Sequence, residues 1–252
     1  MLEEILEKIK EEYSRLLRDN LVGIYVHGSI AFHCFNPKKS DIDFIVVIKE
    51  KIDNQTKDAL IKVLLDMRGS APPKGFEMSV VLQEYCLHFE YPTPYELHFS
   101  NGWLDRYFED SSSVCNEDLK TDIDLAAHFA VIRQCGVVLY GEPIAEVFGD
   151  IKNKYIADSI LEDIAGAKER IVQRPTYITL NLCRALAFFE EGKLLSKEQG
   201  GLWASEWVKE EYQAVIQSAL NDYKSETPIP VRDSDKMEFA EDMLNHIALT
   251  RE

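Results

Sequence analysis

No stretch of this 252-residue sequence approaches the roughly 20 consecutive apolar residues that a membrane-spanning helix needs. The first residues form a charged, amphipathic pattern and lack the apolar core of a secretory signal. A soluble, cytoplasmic protein with no membrane partner is expected. Cysteine is sparse as well. Cys34, Cys86, Cys115, Cys135 and Cys183 are odd in number, far apart and without a Cys-x-x-Cys pair. Neither a disulfide framework nor a zinc site is indicated. The shortage that excludes most is of positive charge: 28 Lys and Arg stand against 44 Asp and Glu, for a formal net charge of −16. Nucleic-acid binding is built on Lys and Arg contacts to phosphate, so a polyanionic partner is excluded and a small cationic one is favoured. There is no internal repeat and no low-complexity tract.

What is present is a change of period along the chain. Residues 2–17 carry an apolar stripe at helical spacing, 23–27 and 42–48 read as strands, and 56–67 reads as a helix. Pro72, Pro73 and Gly75 break the chain before a third strand in GFEMSVVL. From Thr121 onward the pattern is helical, with helices expected over 155–172, 177–191, 201–208, 210–224 and 234–249. The fold class is therefore α+β: a mixed-sheet domain over 1–149, with a boundary near Gly149, and an α-helical bundle over 150–252.

The run VGIYVHGSIAFHCFNPKKSDIDFIVVI, residues 22–48, concentrates the chemistry. Side chains alternate along a strand, so Asp41 and Asp43 share one face while Ile42 and Phe44 share the other. Two carboxylates at that spacing suit a hard divalent cation, which takes oxygen ligands and keeps substrate phosphates in its shell. The Gly28–Ser29 turn offers a second holder for phosphate, because glycine permits close backbone approach and the Ser29 hydroxyl can donate to an anion. Glu77, at the start of the third strand, is the candidate third carboxylate, able to take a proton from an attacking hydroxyl.

The ordered combination of strand, Gly-Ser, Ser-Asp-Ile-Asp and strand resembles the signature of the nucleotidyltransferase superfamily. Within it, the chain resembles the aminoglycoside adenylyltransferases that modify streptomycin or spectinomycin, over most of its length. That resemblance implies a nucleotidyltransferase domain joined to a helical domain that closes over nucleotide and acceptor. It implies magnesium on Asp41, Asp43 and Glu77, ATP as substrate, Gly28, Ser29 and Ser40 at the phosphates, and Glu77 as catalytic base beside the acceptor. PTPYELHFSNGWL resembles the family segment that places a tryptophan in the antibiotic pocket, here Trp103. DLAAHFAVIRQCGVVLYGEP places Asp124 near the nucleotide, NLCRALAFFEEGKLLSK places Arg184 and Lys197 at the triphosphate, and QSALNDYK places Tyr223 there. The expected partners are ATP and a small cationic acceptor, and the expected state is a monomer.

Several of these residues have a second reading. Asp124 can close a capping box with Thr121, Trp103 can be ordinary aromatic core beside Phe99 and Tyr107, and Lys197 can be a solvated lysine at a helix start. Arg184, on an apolar helix, requires an acidic or phosphate partner. The six histidines show no metal spacing and read as structural or surface residues. Family members that accept streptomycin carry acids before the Arg-bearing helix, whereas this chain has Arg170 and Arg174 near those places. Spectinomycin-like acceptors are therefore expected over streptomycin. The alternative activity is modification of a protein, as in toxin–antitoxin systems.

Overall fold

In the computed structural model, which describes residues 1–116 and 120–250, the chain divides into two units, Met1–Tyr155 and Ile156–Glu252. The first contains, in order, α1 (Leu2–Leu17), β1 (Leu21–Val26), α2 (Gly28–Ala31), β2 (Ile42–Ile48), α3 (Asn54–Asp66), β3 (Phe76–Leu82), α4 (Gln83–Leu87), β4 (Thr93–Tyr95) and β5 (Leu97–Ser100). It continues through α5 (Leu104–Glu109), α6 (Ser111–Cys115), β6 (Lys120–Asp122), α7 (Leu125–Cys135), β7 (Val137–Gly141) and α8 (Ile144–Val147). Five strands form one mixed sheet in the order β5-β3-β2-β1-β7, and β4 pairs with β6 separately. β2 and β3 are parallel, which requires a crossover, and α3 supplies it.

The central strands β1, β2 and β3 are buried on both faces, and alternation assigns each residue to one of them. Ile24, Val26, Phe44, Val46, Met78 and Val80 pack against Ile5, Ile9 and Tyr13 of α1 and Leu60 and Leu64 of α3. The i, i+4 spacing of Ile5, Ile9, Tyr13 and Leu17 is why α1 forms there: a single stripe is buried, and each fully buried aliphatic side chain stabilises by roughly 1.5–3 kcal/mol. Asp53 caps α3 by accepting from the Thr56 amide at 2.8 Å. On the opposite face Tyr25, Ile45, Val47 and Val81 pack against Phe129 of α7 and against Phe148. Asp41, Asp43 and Glu77 fall on this second face by parity, beyond the apolar part of β2 and β3.

The second unit is helical: after α9 (Asn153–Ile164) come α10 (Ala167–Arg170), α11 (Pro175–Glu191), α12 (Lys197–Trp207), α13 (Gln213–Tyr223) and α14 (Asp233–Thr250). α11 has Pro175 at its first position and ends at Gly192, whose φ is +69°. It is buried on nearly every side from Ile178 to Phe188, which makes it the bundle's central helix.

Three elements differ from the periodicity reading. β7 is a strand within a region that reads as helical; it is an edge strand, and Val137, Val138 and Tyr140 remain exposed. The helix expected over 155–172 is two, because Gly166 takes a left-handed φ of +65° between α9 and α10. α12 begins four residues earlier than expected, running through Gly200 and Gly201. A Cβ at Gly200 would lie 2.8 Å from the Arg184 backbone nitrogen, so the glycine pair serves close packing of α12 on α11.

Candidate active site

β2 and β3 run in parallel with Asp43 directly opposite Glu77. One carboxylate oxygen each from Asp41, Asp43 and Glu77 can be chosen so that all three lie within 4.8 Å of one another. All three residues are half-buried. Gathering three negative groups at that distance is unfavourable unless a cation joins them, and the all-oxygen donor set suits a hard divalent ion.

The turn that precedes β2 is shaped to the same point. Gly28 has a φ of +58°, and a Cβ there would come within 1.9 Å of Asp43 Oδ2, so only glycine leaves room for that carboxylate. Ser29 Oγ is buried with no hydrogen-bond partner, and a buried hydroxyl without a partner costs free energy that an anionic ligand oxygen can offset. Ser40 is buried and its Oγ accepts from the Asn36 amide at 3.1 Å, which closes the 36–40 turn. These features fit a divalent cation together with a phosphate-bearing substrate.

Three histidines border the carboxylates, and no spacing in the sequence singles them out. His27 follows β1, its amide donates to the Asp43 carbonyl at 3.0 Å, and its ring lies 4.8 Å from the ring of His128 on α7. His128 Nε2 is 3.9 Å from Glu77 Oε1. His98 on β5 pairs with Ser79, its Nδ1 2.9 Å from Ser79 Oγ, and meets Trp103 edge-on at 5.8 Å. Burial holds the His27 imidazole well below the usual histidine range, with His128 pushing the same way. His98 is also lowered, by burial first, while Glu77 and Asp122 oppose that shift. Three of the six histidines thus lie around the carboxylates. Their grouping comes from three separate elements, so no linear spacing announces it; the signal available in the sequence was that His128 follows Asp124 by one helical turn.

Asp124 occupies the N-cap position of α7, with no side-chain bond to the first amides of the helix. The capping box with Thr121 does not form, because α7 starts only at Leu125 and Asp124 is itself the N-cap residue rather than the third helical one. Trp103 serves the core and more: its indole packs at the edge of the α1–α3 core cluster while Arg106 and Lys120 lie 5.0 and 5.6 Å from its ring centre.

In the second unit, Arg184 finds its acidic partner in Asp163, with Nη2 2.5 Å from Oδ2. Lys197 stands at the first position of α12, which Ser196 and Gln199 close with a capping box. Its Nζ lies 5.0 Å from the Tyr177 ring, which also carries the Arg174 guanidinium at 4.3 Å. Tyr177 donates to Asp163 at 3.3 Å, so the Arg184 and Lys197 surroundings meet at one acid and one ring. Tyr223 is buried at the end of α13. A cavity of about 620 Å³ opens beside the N-terminus of α11, lined by Arg174, Thr176, Tyr177, Asp222, Ile229 and Lys236 among others. The Arg170 guanidinium donates to the carbonyls of Asp163, Ala165 and Gly166, at the negative end of α9.

The nucleotidyltransferase domain profile matches residues 2–80, and that of the aminoglycoside adenylyltransferase C-terminal domain matches residues 146–246. The chain is thus similar to the aminoglycoside adenylyltransferases across both domains. It is 24% identical over 228 residues to a spectinomycin 9-adenylyltransferase of Enterococcus faecalis, covering 88% of each chain. It is 26% identical over 247 residues to an aminoglycoside (3'') (9) adenylyltransferase of Klebsiella pneumoniae, again covering 88% of each. Among solved structures, a spectinomycin adenyltransferase from Enterococcus, crystallised with ATP and spectinomycin, superposes with a TM-score of 0.81 at 20% identity, covering 96% of this chain and 98% of that one. These matches agree with the α+β reading and make the protein a nucleotidyltransferase. Among the described residues, no helix is long and apolar enough to cross a membrane.

Proposed function

We propose that this adenylyltransferase moves AMP from ATP to a hydroxyl of an aminocyclitol or aminoglycoside antibiotic and releases pyrophosphate. The observation that carries the proposal is the register of β2 against β3, which sets Glu77 beside the Asp41–Asp43 pair. Asp41 and Asp43, with Glu77 adjoining, would hold magnesium, which when bound supplies charge neutralisation at the transferring phosphate. Glu77 takes the proton from the attacking hydroxyl, and its position beside the metal-capable pair puts it where that hydroxyl must approach the α-phosphorus. Gly28, Ser29 and Ser40 hold phosphate oxygens, and the buried, unpartnered Ser29 hydroxyl supports that role. Asp124, Arg184, Lys197 and Tyr223 bind the nucleotide. Arg184 can do so while paired to Asp163, since a guanidinium has five N–H donors. Trp103 borders the acceptor.

We further propose a preference for spectinomycin-like acceptors, and Arg174 now carries that argument alone. Arg170 is committed to backbone carbonyls, whereas Arg174 lies on Tyr177 beside Lys197. A like-charged pair about 4 Å apart costs on the order of 1 to 4 kcal/mol, depending on screening, and streptomycin carries two guanidinium groups to spectinomycin's none. The purified protein with ATP and magnesium should release pyrophosphate and yield AMP-bearing drug with spectinomycin, more slowly with streptomycin, and hardly at all without acceptor. Equal turnover of both drugs would remove the preference. Release without any drug product would remove the acceptor class.

A further inference from the structure

The base in the proposed reaction has an oriented neighbour. We propose that His128 is a positioning residue for Glu77, holding the plane of its carboxylate so that one oxygen stays toward the imidazole and the other toward the Asp41–Asp43 pair. The inference rests on the reading of Glu77 given above, and on a stack of contacts that begins in the core. The His27 backbone is tied to the Asp43 carbonyl at 3.0 Å, and its side chain is buried. The His128 ring packs on that fixed ring at 4.8 Å with a 39° tilt, and its outer nitrogen, Nε2, lies 3.9 Å from Glu77 Oε1. His128 therefore has a rigid backing on one side and a carboxylate on the other.

The 3.9 Å separation is longer by about 1 Å than an N–H···O hydrogen bond. Contacts of this kind are commonly long before substrate is bound and tighten in the reacting complex. A Glu at a strand start has three rotatable side-chain bonds, and β3 fixes only its backbone. Without a donor beside it, the carboxylate samples orientations that face away from the acceptor. The Asp124–His128 spacing adds a second reason to place this face of α7 at the site: one helical turn separates the two, so both project from the same side.

The test uses the full-length protein and three variants. His128→Gln keeps a donor where Nε2 stands, His128→Phe keeps the ring that packs on His27 but loses the donor, and His128→Ala loses both. With spectinomycin as acceptor, His128→Phe and His128→Ala should lower kcat about 10- to 100-fold, the usual range for loss of a residue supporting a functional group. KM for ATP should stay within about twofold, and His128→Gln should recover most of the rate. Full rate in His128→Phe, or a loss that falls on the ATP KM, would overturn the proposal. A second readout is independent of any drug: crystals of wild type and His128→Phe grown alike should show Glu77 in one orientation in the former and spread over several in the latter. One shared orientation would overturn the proposal even if no antibiotic is adenylylated, and a difference there would support it while the acceptor reading failed.

Discussion

Both units hold ordinary ion pairs, Lys62 with Asp58 and Arg133 with Asp150 in the first, but the first also gathers three acids at one point, whereas the ligand-binding candidates of the second stand among acids paired with bases. Asp41, Asp43 and Glu77 converge at the end of β2 and β3, but Arg184 pairs with Asp163, Lys224 with Glu198, Lys168 with Glu241 and Lys209 with Asp242. Like charges held together cost free energy that an ion or substrate can recover, so the first arrangement points to binding and chemistry. Opposite charges held together are already satisfied, so a ligand in the second unit must share or displace an existing partner. Losing one of these three acids from the first unit should therefore destroy function without harming the fold. Losing a base from the second should alter affinity.

The sharpest break in that contrast comes from Asp41→Asn and Asp43→Asn. Loss of a metal ligand removes several kcal/mol of charge stabilisation, so kcat should fall by more than about a thousandfold. Thermal unfolding in the absence of metal should occur at the same temperature or slightly higher, because one repulsive carboxylate is gone. A variant that unfolds earlier and yet turns over would reverse the reading of this cluster. Glu77→Gln should come next, with ATP bound normally and turnover slower by about a hundredfold to ten-thousandfold. If ATP affinity collapses while the rate at saturation survives, Glu77 binds and the base lies elsewhere.

On the second unit's side, Lys197→Ala should raise the KM for ATP about tenfold to a hundredfold, the worth of one charge-assisted hydrogen bond, and leave kcat at saturation within a few-fold. An unchanged KM would mean that Lys197 serves only the Tyr177 ring. Gly200→Ala should act on the same unit through packing. The added methyl meets the Arg184 backbone at 2.8 Å, and overpacking of this kind costs about 1–3 kcal/mol. Denaturant unfolding followed by helical circular dichroism measures it.

The two units also differ in how far their sequences disclosed them. The Asp41 and Asp43 alternation, the apolar runs of β2 and β3 and the place of Glu77 were readable because a strand's period is two and the register follows from burial. β7 was not, because an exposed edge strand of five residues has no buried face to impose a pattern. The histidines around Glu77 were hidden for a different reason: His27, His98 and His128 come from β1's end, β5 and α7, and only the sheet order brings them together. In the second unit, periodicity gave the helices but not the break at Gly166 or the role of the Gly200–Gly201 pair, since a glycine reads as a breaker until its neighbour's backbone is known. Arg184 was legible as needing a partner, and Asp163 was nameable only from the packing of α9 on α11.

The smallest effect concerns stability against pH, and it should belong to the first unit. His27 has its folded-state pKa depressed by burial, with His98 depressed less. As pH falls through the ordinary histidine range near 6.5, the unfolded chain takes up a proton at each position while the folded chain does not. Stability then falls with falling pH, by at most about 1.4 kcal/mol per pH unit for each such group, and the loss stops once the folded-state pKa is passed. His27→Phe keeps an aromatic ring against His128 and removes one titrating group, so its stability between pH 6.5 and 5.5 should decline less steeply than the wild type's, by up to one proton's worth. Parallel slopes in urea titrations at those pH values would show that His27 is protonated in the folded protein, and the buried backing assigned to His128 would then carry a charge.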